Sequence, residues 1–278
     1  MPKLSSAKAW LKLNTNLYLL RRQPIVVYAM RRTGSVAVHE SLERDGQFTL
    51  AAHSFDVINR PAKLLSGVGR WGAKHLFGKH RPCKIISMIR NPVDNMISIF
   101  SRKSLGTLLR VELETISEGE EITAEKLAVE FHEVHCKKKR YHQETKWFDD
   151  EYKAVLDIDV YKYPFDHEQG YCRIDKGPYQ TLILRTEMPD DKKERVIADF
   201  IGSKTFKLFS SSEATEGRAD GAVGMPGEKT GYGHLYKALK NDLRLTRDEW
   251  ADLSQSQYMQ HFCSPAEIAK TEERYVEK

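Results

Sequence analysis

Apolar positions follow two kinds of pattern along this chain. Short, nearly unbroken runs fall at residues 24–29, 47–53, 83–89 and 179–185, and stretches with an apolar residue every three or four positions lie between them. Runs of this length read as strands, and the continuous one at 83–89 as a strand covered on both faces. The 3.6-residue period reads as amphipathic helix. The pattern predicts an N-terminal amphipathic helix over 1–22, a strand at 24–29, a helix at 34–44 closed by Asp45-Gly46, and a strand at 47–53. Helical periodicity weakened by glycines follows over 60–79, before the strand at 83–89. Asn91 then fits an N-cap and Pro92 the first helical position of another helix. Residues 104–165 read as an insertion, helical and charged over 104–142 and aromatic over 147–165. A strand at 179–185 and a helix at 190–202 come next, with further helices at 233–242 and 246–260. Residues 215–233 hold six glycines and no periodicity, which marks a loop and a candidate lid. Strands alternating with helices imply an α/β fold, a parallel sheet flanked by helices, read here as a single domain over 1–278 with one helical insertion.

Composition narrows the class. A hydrophobic content of 40% in 278 residues supports a full globular core. The apolar runs are too short to span a bilayer, and the N-terminal stretch lacks the uninterrupted apolar core of a signal peptide. The net charge of +5 suits an anionic ligand. It argues against nucleic acid, because the cations are dispersed among acids and the one dense run, Lys137-Lys138-Lys139-Arg140, reads as a solvated helix end. The four cysteines, Cys83, Cys136, Cys172 and Cys263, stand far apart with no CxxC spacing. That disfavours a disulfide framework and fits a reduced, cytoplasmic setting. His132, His135 and Cys136 could suggest a metal, but with no clear fourth ligand the expectation is none.

The chemistry concentrates after the first strand. Met30-Arg31-Arg32-Thr33-Gly34-Ser35 is a tight basic turn leading into a helix. Backbone N–H groups at a helix N-terminus, with the positive end of its dipole, hold anions. Arg31 and Arg32 add charge there, and Thr33 and Ser35 add hydroxyl donors. The string lacks Gly, four residues, then Gly-Lys-Ser/Thr, so a Walker-type nucleoside triphosphatase is disfavoured. A second element is Arg90-Asn91-Pro92-Val93-Asp94-Asn95-Met96-Ile97-Ser98. Arg90 ends a strand, and Ser98 shares a helix face with Asn91, so guanidinium and hydroxyl form a plausible phosphate clamp. In parallel sheets ligands sit beyond the carboxyl ends of the strands, so Arg32, His53 and Arg90 are expected to converge.

Both segments resemble the sulfotransferases that use 3′-phosphoadenosine 5′-phosphosulfate (PAPS). Arg32-Thr33-Gly34-Ser35 is similar to the family's first motif, which grips the 5′-phosphosulfate. Arg90, Asn91, Pro92, Asp94 and Ser98 match its second motif, whose Arg and Ser bind the 3′-phosphate. Arg185-Thr186-Glu187 is a weaker echo of a third. The chain departs at Arg32, where many members have Lys, and at Val36, which replaces a hydroxyl residue. No clear counterpart exists for a C-terminal Arg-Lys-Gly segment; Gly227-Glu228-Lys229-Thr230-Gly231 is the candidate substitute, with Lys229 over the nucleotide. Lys146-Trp147-Phe148-Asp149 and His261-Phe262-Cys263-Ser264 resemble a bacterial branch linked to capsular polysaccharide synthesis.

The resemblance implies a P-loop sulfotransferase-like fold and transfer of a sulfuryl group from PAPS, without metal, to a hydroxyl or amine of a saccharide or small metabolite. It places Arg31, Arg32, Thr33, Gly34, Ser35, Val36, Arg90, Ser98 and Lys229 around the nucleotide, and makes Arg32 the cation at the leaving phosphate. His53, just past the second strand, takes the place of the family's general base. Glu40 and Glu43 are held in reserve for that role, and His39, on the same helix, reads as a surface or packing residue. The alternatives are an ATP-dependent phosphotransferase and a nucleotide-binding protein without catalysis.

Overall fold

A computed structural model describes Leu11, residues 14–54, residue 72, and residues 75–100, 123–209 and 233–277. Within these come β1 (Ile25–Tyr28), α1 (Ser35–Arg44), β2 (Thr49–Ala52), β3 (Cys83–Ile89), α2 (residues 92–100), α3 (Ala124–Phe131), β4 (Tyr171–Lys176), β5 (Tyr179–Arg185), α4 (Asp190–Ile201), α5 (Gly233–Asp242), α6 (Arg247–Ser254), α7 (Gln257–Phe262) and α8 (Pro265–Tyr275). The sequence reads as one domain; the chain divides into two compact units, Met1–Ile89 with Phe148–Ala214, and Arg90–Trp147 with Thr215–Lys278. The Gly-rich loop and much of the 60–79 and 104–142 stretches lie outside the described residues.

The first unit is α/β. Its five strands run in the order β2-β1-β3-β5-β4. The pairs β1–β2, β1–β3 and β3–β5 are parallel, with Tyr28 opposite Ala52 and Ile89 opposite Arg185. All four β1 residues are buried, as the unbroken apolar run requires of a strand covered on both faces. On one face Val27, Ile86, Leu182 and Leu184 pack with Val38 and Leu42 of α1 and Ile197 and Phe200 of α4. Each such aliphatic side chain contributes about 1.5–3 kcal/mol on burial. One strand departs from the parallel expectation. β4 pairs antiparallel with β5 across a Gly177-Pro178 turn in which Gly177 has φ +56°. It buries Cys172 and Ile174 and exposes Arg173 and Asp175, the alternation of an edge strand open to water on one side.

The second unit is helical. Its core gathers Val93, Ile97 and Phe100 from α2 with Phe131, Leu239, Trp250, Met259 and Tyr275. The expected single helix at 246–260 is two helices. Ser256 accepts from the Met259 N–H at 3.3 Å and restarts the chain as α7. Thr246 and Ser264 close capping boxes with Glu249 and Glu267, which define the starts of α6 and α8. Cys83, Cys136, Cys172 and Cys263 are all free thiols. Among the described residues no helix is long and apolar enough to cross a membrane.

Candidate functional site

The basic turn sits where β1 hands over to α1. Gly34 is the N-cap of α1 in the left-handed region, φ +79°, and no side chain caps the helix start. The first N–H groups of a helix lack intrahelical partners, so this end is open to an anion. Arg32 also has positive φ, +65°, uncommon for a non-glycine residue and found where a tight turn imposes it. Arg31, Gly34 and Val36 are exposed, Arg32 is half-buried, and Ser35 is buried. Thr33 differs from its expected role as a ligand donor. It is fully buried and its hydroxyl donates to the Met30 carbonyl at 2.8 Å, so it braces the turn from inside. Thr186, just past β5, donates its hydroxyl to the Thr33 carbonyl at 2.9 Å and its N–H to Ile89 O at 2.8 Å. The third sequence echo thus supports the first turn.

His53 follows β2, and the parallel register brings it beside Ala29. Its Nδ1 lies 2.9 Å from the Ala29 carbonyl. A carbonyl only accepts, so Nδ1 carries the proton and, in the neutral ring, Nε2 carries the lone pair. Burial lowers the His53 pKa; the hydrogen bond to Ala29 opposes this and the Arg31 charge assists it. The ring is therefore neutral at neutral pH, the form a base requires. Next to it, Ser54 donates to Glu151 Oε1 and Tyr28 donates to Glu151 Oε2. Glu151 is buried and joins the residue ending β1 to the residue after His53. His39 has a packing role: its Nδ1 meets Thr49 Oγ1 at 3.2 Å.

Arg90, the residue after β3, is counted with the helical unit. Its backbone is clamped by one hydroxyl: Tyr258 accepts from the Arg90 N–H at 3.2 Å and donates to its carbonyl at 3.0 Å. Asn91 caps α2 as expected, accepting from the N–H groups of Val93 at 3.0 Å and Asp94 at 3.4 Å, and Pro92 is the first helical residue. Its amide donates to Thr271 at 2.9 Å. Asp94 accepts from Tyr275 and Lys240, both at 2.9 Å. Burial alone would raise the Asp94 pKa; Lys240, Tyr275 and Arg90 outweigh it and hold the carboxyl below its usual range. The motif's Asp94 thus anchors α2 to the helices behind it. Ser98 is buried in α2.

Residues 119–264 match a family described as "Putative capsular polysaccharide synthesis protein". The chain belongs to this family. No curated protein and no solved structure matches it. The span that defines membership begins after the basic turn and after Ser98, and contains Glu151, Thr186 and the Lys146-Trp147-Phe148-Asp149 segment. In that segment Trp147 and Phe148 are core residues, 7% and 1% exposed, as is Phe165. Lys229 lies outside the described residues. Sequence reasoning missed Glu151, and it reached Thr186 only as part of a weaker motif echo; from the middle of the chain the two brace the residues around His53 and the basic turn. The family-like segments around them are legible; their hydrogen-bond partners are not.

Proposed function

We propose that the chain transfers a sulfuryl group from PAPS to a hydroxyl, or an amine, of a saccharide or small-molecule metabolite on a P-loop sulfotransferase-like fold. The observation that carries the reading is the start of α1: an uncapped helix N-terminus at a parallel-strand end, opened by a left-handed glycine and flanked by Arg31 and Arg32. His53 supports it, neutral and held by Ala29. In the reaction the acceptor oxygen attacks sulfur and the bond from sulfur to the 5′-phosphate oxygen breaks. His53 Nε2 takes the acceptor's proton. Arg32 and the backbone N–H groups of Gly34 and Ser35 neutralise the charge left on the departing phosphate. Adenosine 3′,5′-bisphosphate leaves as the second product. The 3′-phosphate role of Arg90 and Ser98, and that of Lys229 over the nucleotide, rest on the resemblance. Family membership supports a saccharide acceptor.

Calorimetric titration with adenosine 3′,5′-bisphosphate and with ATP tests the reading. Preference for the bisphosphate, lost in Arg32→Ala and Arg90→Ala, is expected. Clear preference for ATP overturns it and favours phosphoryl transfer. A screen of saccharides and small metabolites with radiolabelled PAPS then identifies the acceptor.

A further inference from the structure

The helical unit carries a cluster that sulfuryl transfer does not use. His132 and Cys136 begin and end a π-helical segment, His132–Cys136, four residues apart and therefore close to one turn. Such single-turn π segments inside helices recur at functional sites. Glu249, 117 residues from His132 along the chain, reaches them from the first turn of α6. His132 Nδ1 and Glu249 Oε1 are 3.3 Å apart, and the ligand atoms of His132, Cys136 and Glu249 all lie within 4.8 Å of one another. The carboxylate is held in place: Oε2 accepts from the Thr246 N–H at 2.9 Å, which leaves Oε1 directed at the histidine.

We propose that His132, Cys136 and Glu249 bind a divalent cation of the zinc type. Imidazole, thiolate and carboxylate are the donors zinc takes. With ligand bonds of about 2.0–2.2 Å, tetrahedral nitrogen and oxygen donors sit roughly 3.4 Å apart. The His132–Glu249 separation already has that value. A thiolate and a carboxylate together balance a dication, so the site is neutral where Cys136 is 3% exposed. His132 and Glu249 remain part-exposed, with side chains 27% and 19% accessible, and give the ion a way in. The sequence argument against metal was the absence of a clear fourth ligand beside His132, His135 and Cys136; the fold brings Glu249 from a distant helix to His132 and Cys136. The bound ion would clamp the π-helical segment to α6. With three protein ligands, zinc keeps a fourth position for water. This inference does not depend on the sulfuryl-transfer reading.

The test uses the full chain, stripped with chelator and titrated with Co²⁺ and then Zn²⁺. The expected result is one Co²⁺ per chain with thiolate-to-cobalt charge-transfer absorption, displaced by Zn²⁺, and a higher Tm with Zn²⁺ bound. Cys136→Ser abolishes the charge-transfer band. Glu249→Gln retains a side chain suited to the capping box, and weakens Zn²⁺ binding by at least about tenfold. Absence of binding, a band that survives Cys136→Ser, or unchanged affinity in Glu249→Gln each overturns the site. Should Cys136→Ser misfold, His132→Gln in the same titration decides: lost binding supports the site and unchanged binding refutes it.

Discussion

Glu151 is the sharpest place to perturb this protein, because it couples two strand ends through one buried carboxylate. Tyr28, fully buried, and Ser54 both donate to it. A hydrogen bond to a charged group contributes about 1.5–3 kcal/mol, and taking away the acceptor of a buried hydroxyl costs about 1–3 kcal/mol. Tyr28→Phe removes one donor and should cost about 1.5–3 kcal/mol. Glu151→Met keeps the side-chain length but removes both acceptors. It should cost about 3–5 kcal/mol, the loss being partly offset because an ionised group no longer has to be desolvated. In the double variant no Tyr28 hydroxyl is stranded, so the two effects should fall short of their sum by about 1.5–3 kcal/mol. Urea denaturation followed by far-UV circular dichroism measures the cycle, and hydrogen exchange of the β1 amides reports the same opening locally. If the two substitutions add within about 0.5 kcal/mol, Glu151 does not bind the strand ends together and the reasoning fails.

Four further outcomes are expected, the first of them resting on the proposed function. His53→Ala should lower turnover by roughly 10²–10⁴ while leaving nucleotide affinity unchanged. Because its folded pKa lies below the ordinary 6.5, wild-type stability should fall as pH drops from that value toward the lowered one, and pH-dependent melts of His53→Gln should lack this slope. Gly34→Ala should cost about 1–2 kcal/mol through backbone strain at φ +79°, since the added methyl group meets Met88 Cε at an ordinary 3.5 Å; unchanged stability would mean that the turn does not need glycine. Asp94 has a depressed folded pKa, so its contribution is full above the unfolded value of about 3.9 and is lost as pH falls through the folded one. Asp94→Asn should destabilise at pH 7 and flatten the acid limb of the stability curve, with no change of slope as the refuting result.

Much of the scaffold was legible because it rests on local physics. The unbroken runs at 25–28 and 83–89 had to be buried strands, and Asn91-Pro92 had to begin a helix, since cap and first-turn chemistry act within four residues. Gly34 was readable as the point where strand becomes helix, because few other residues accept its φ. What the local pattern could not contain was partnership over distance. Thr33 reads as a hydroxyl donor to the ligand and Asp94 only as a matched motif position, yet Thr33 donates to Met30, and Asp94 is bound by Lys240 and Tyr275. Glu151 beneath Tyr28 and Ser54, Thr186 behind Thr33, and Glu249 beside His132 and Cys136 are juxtapositions that exist only once the chain is packed. A side chain's role is set by what lies within a few ångströms of it, and sequence order constrains that distance only over a few residues. The sequence therefore determined four of the five strands, the basic turn and the Asn91 cap; the tertiary structure alone decided the antiparallel edge strand, which polar groups brace the basic turn and which stand where a cation could bind.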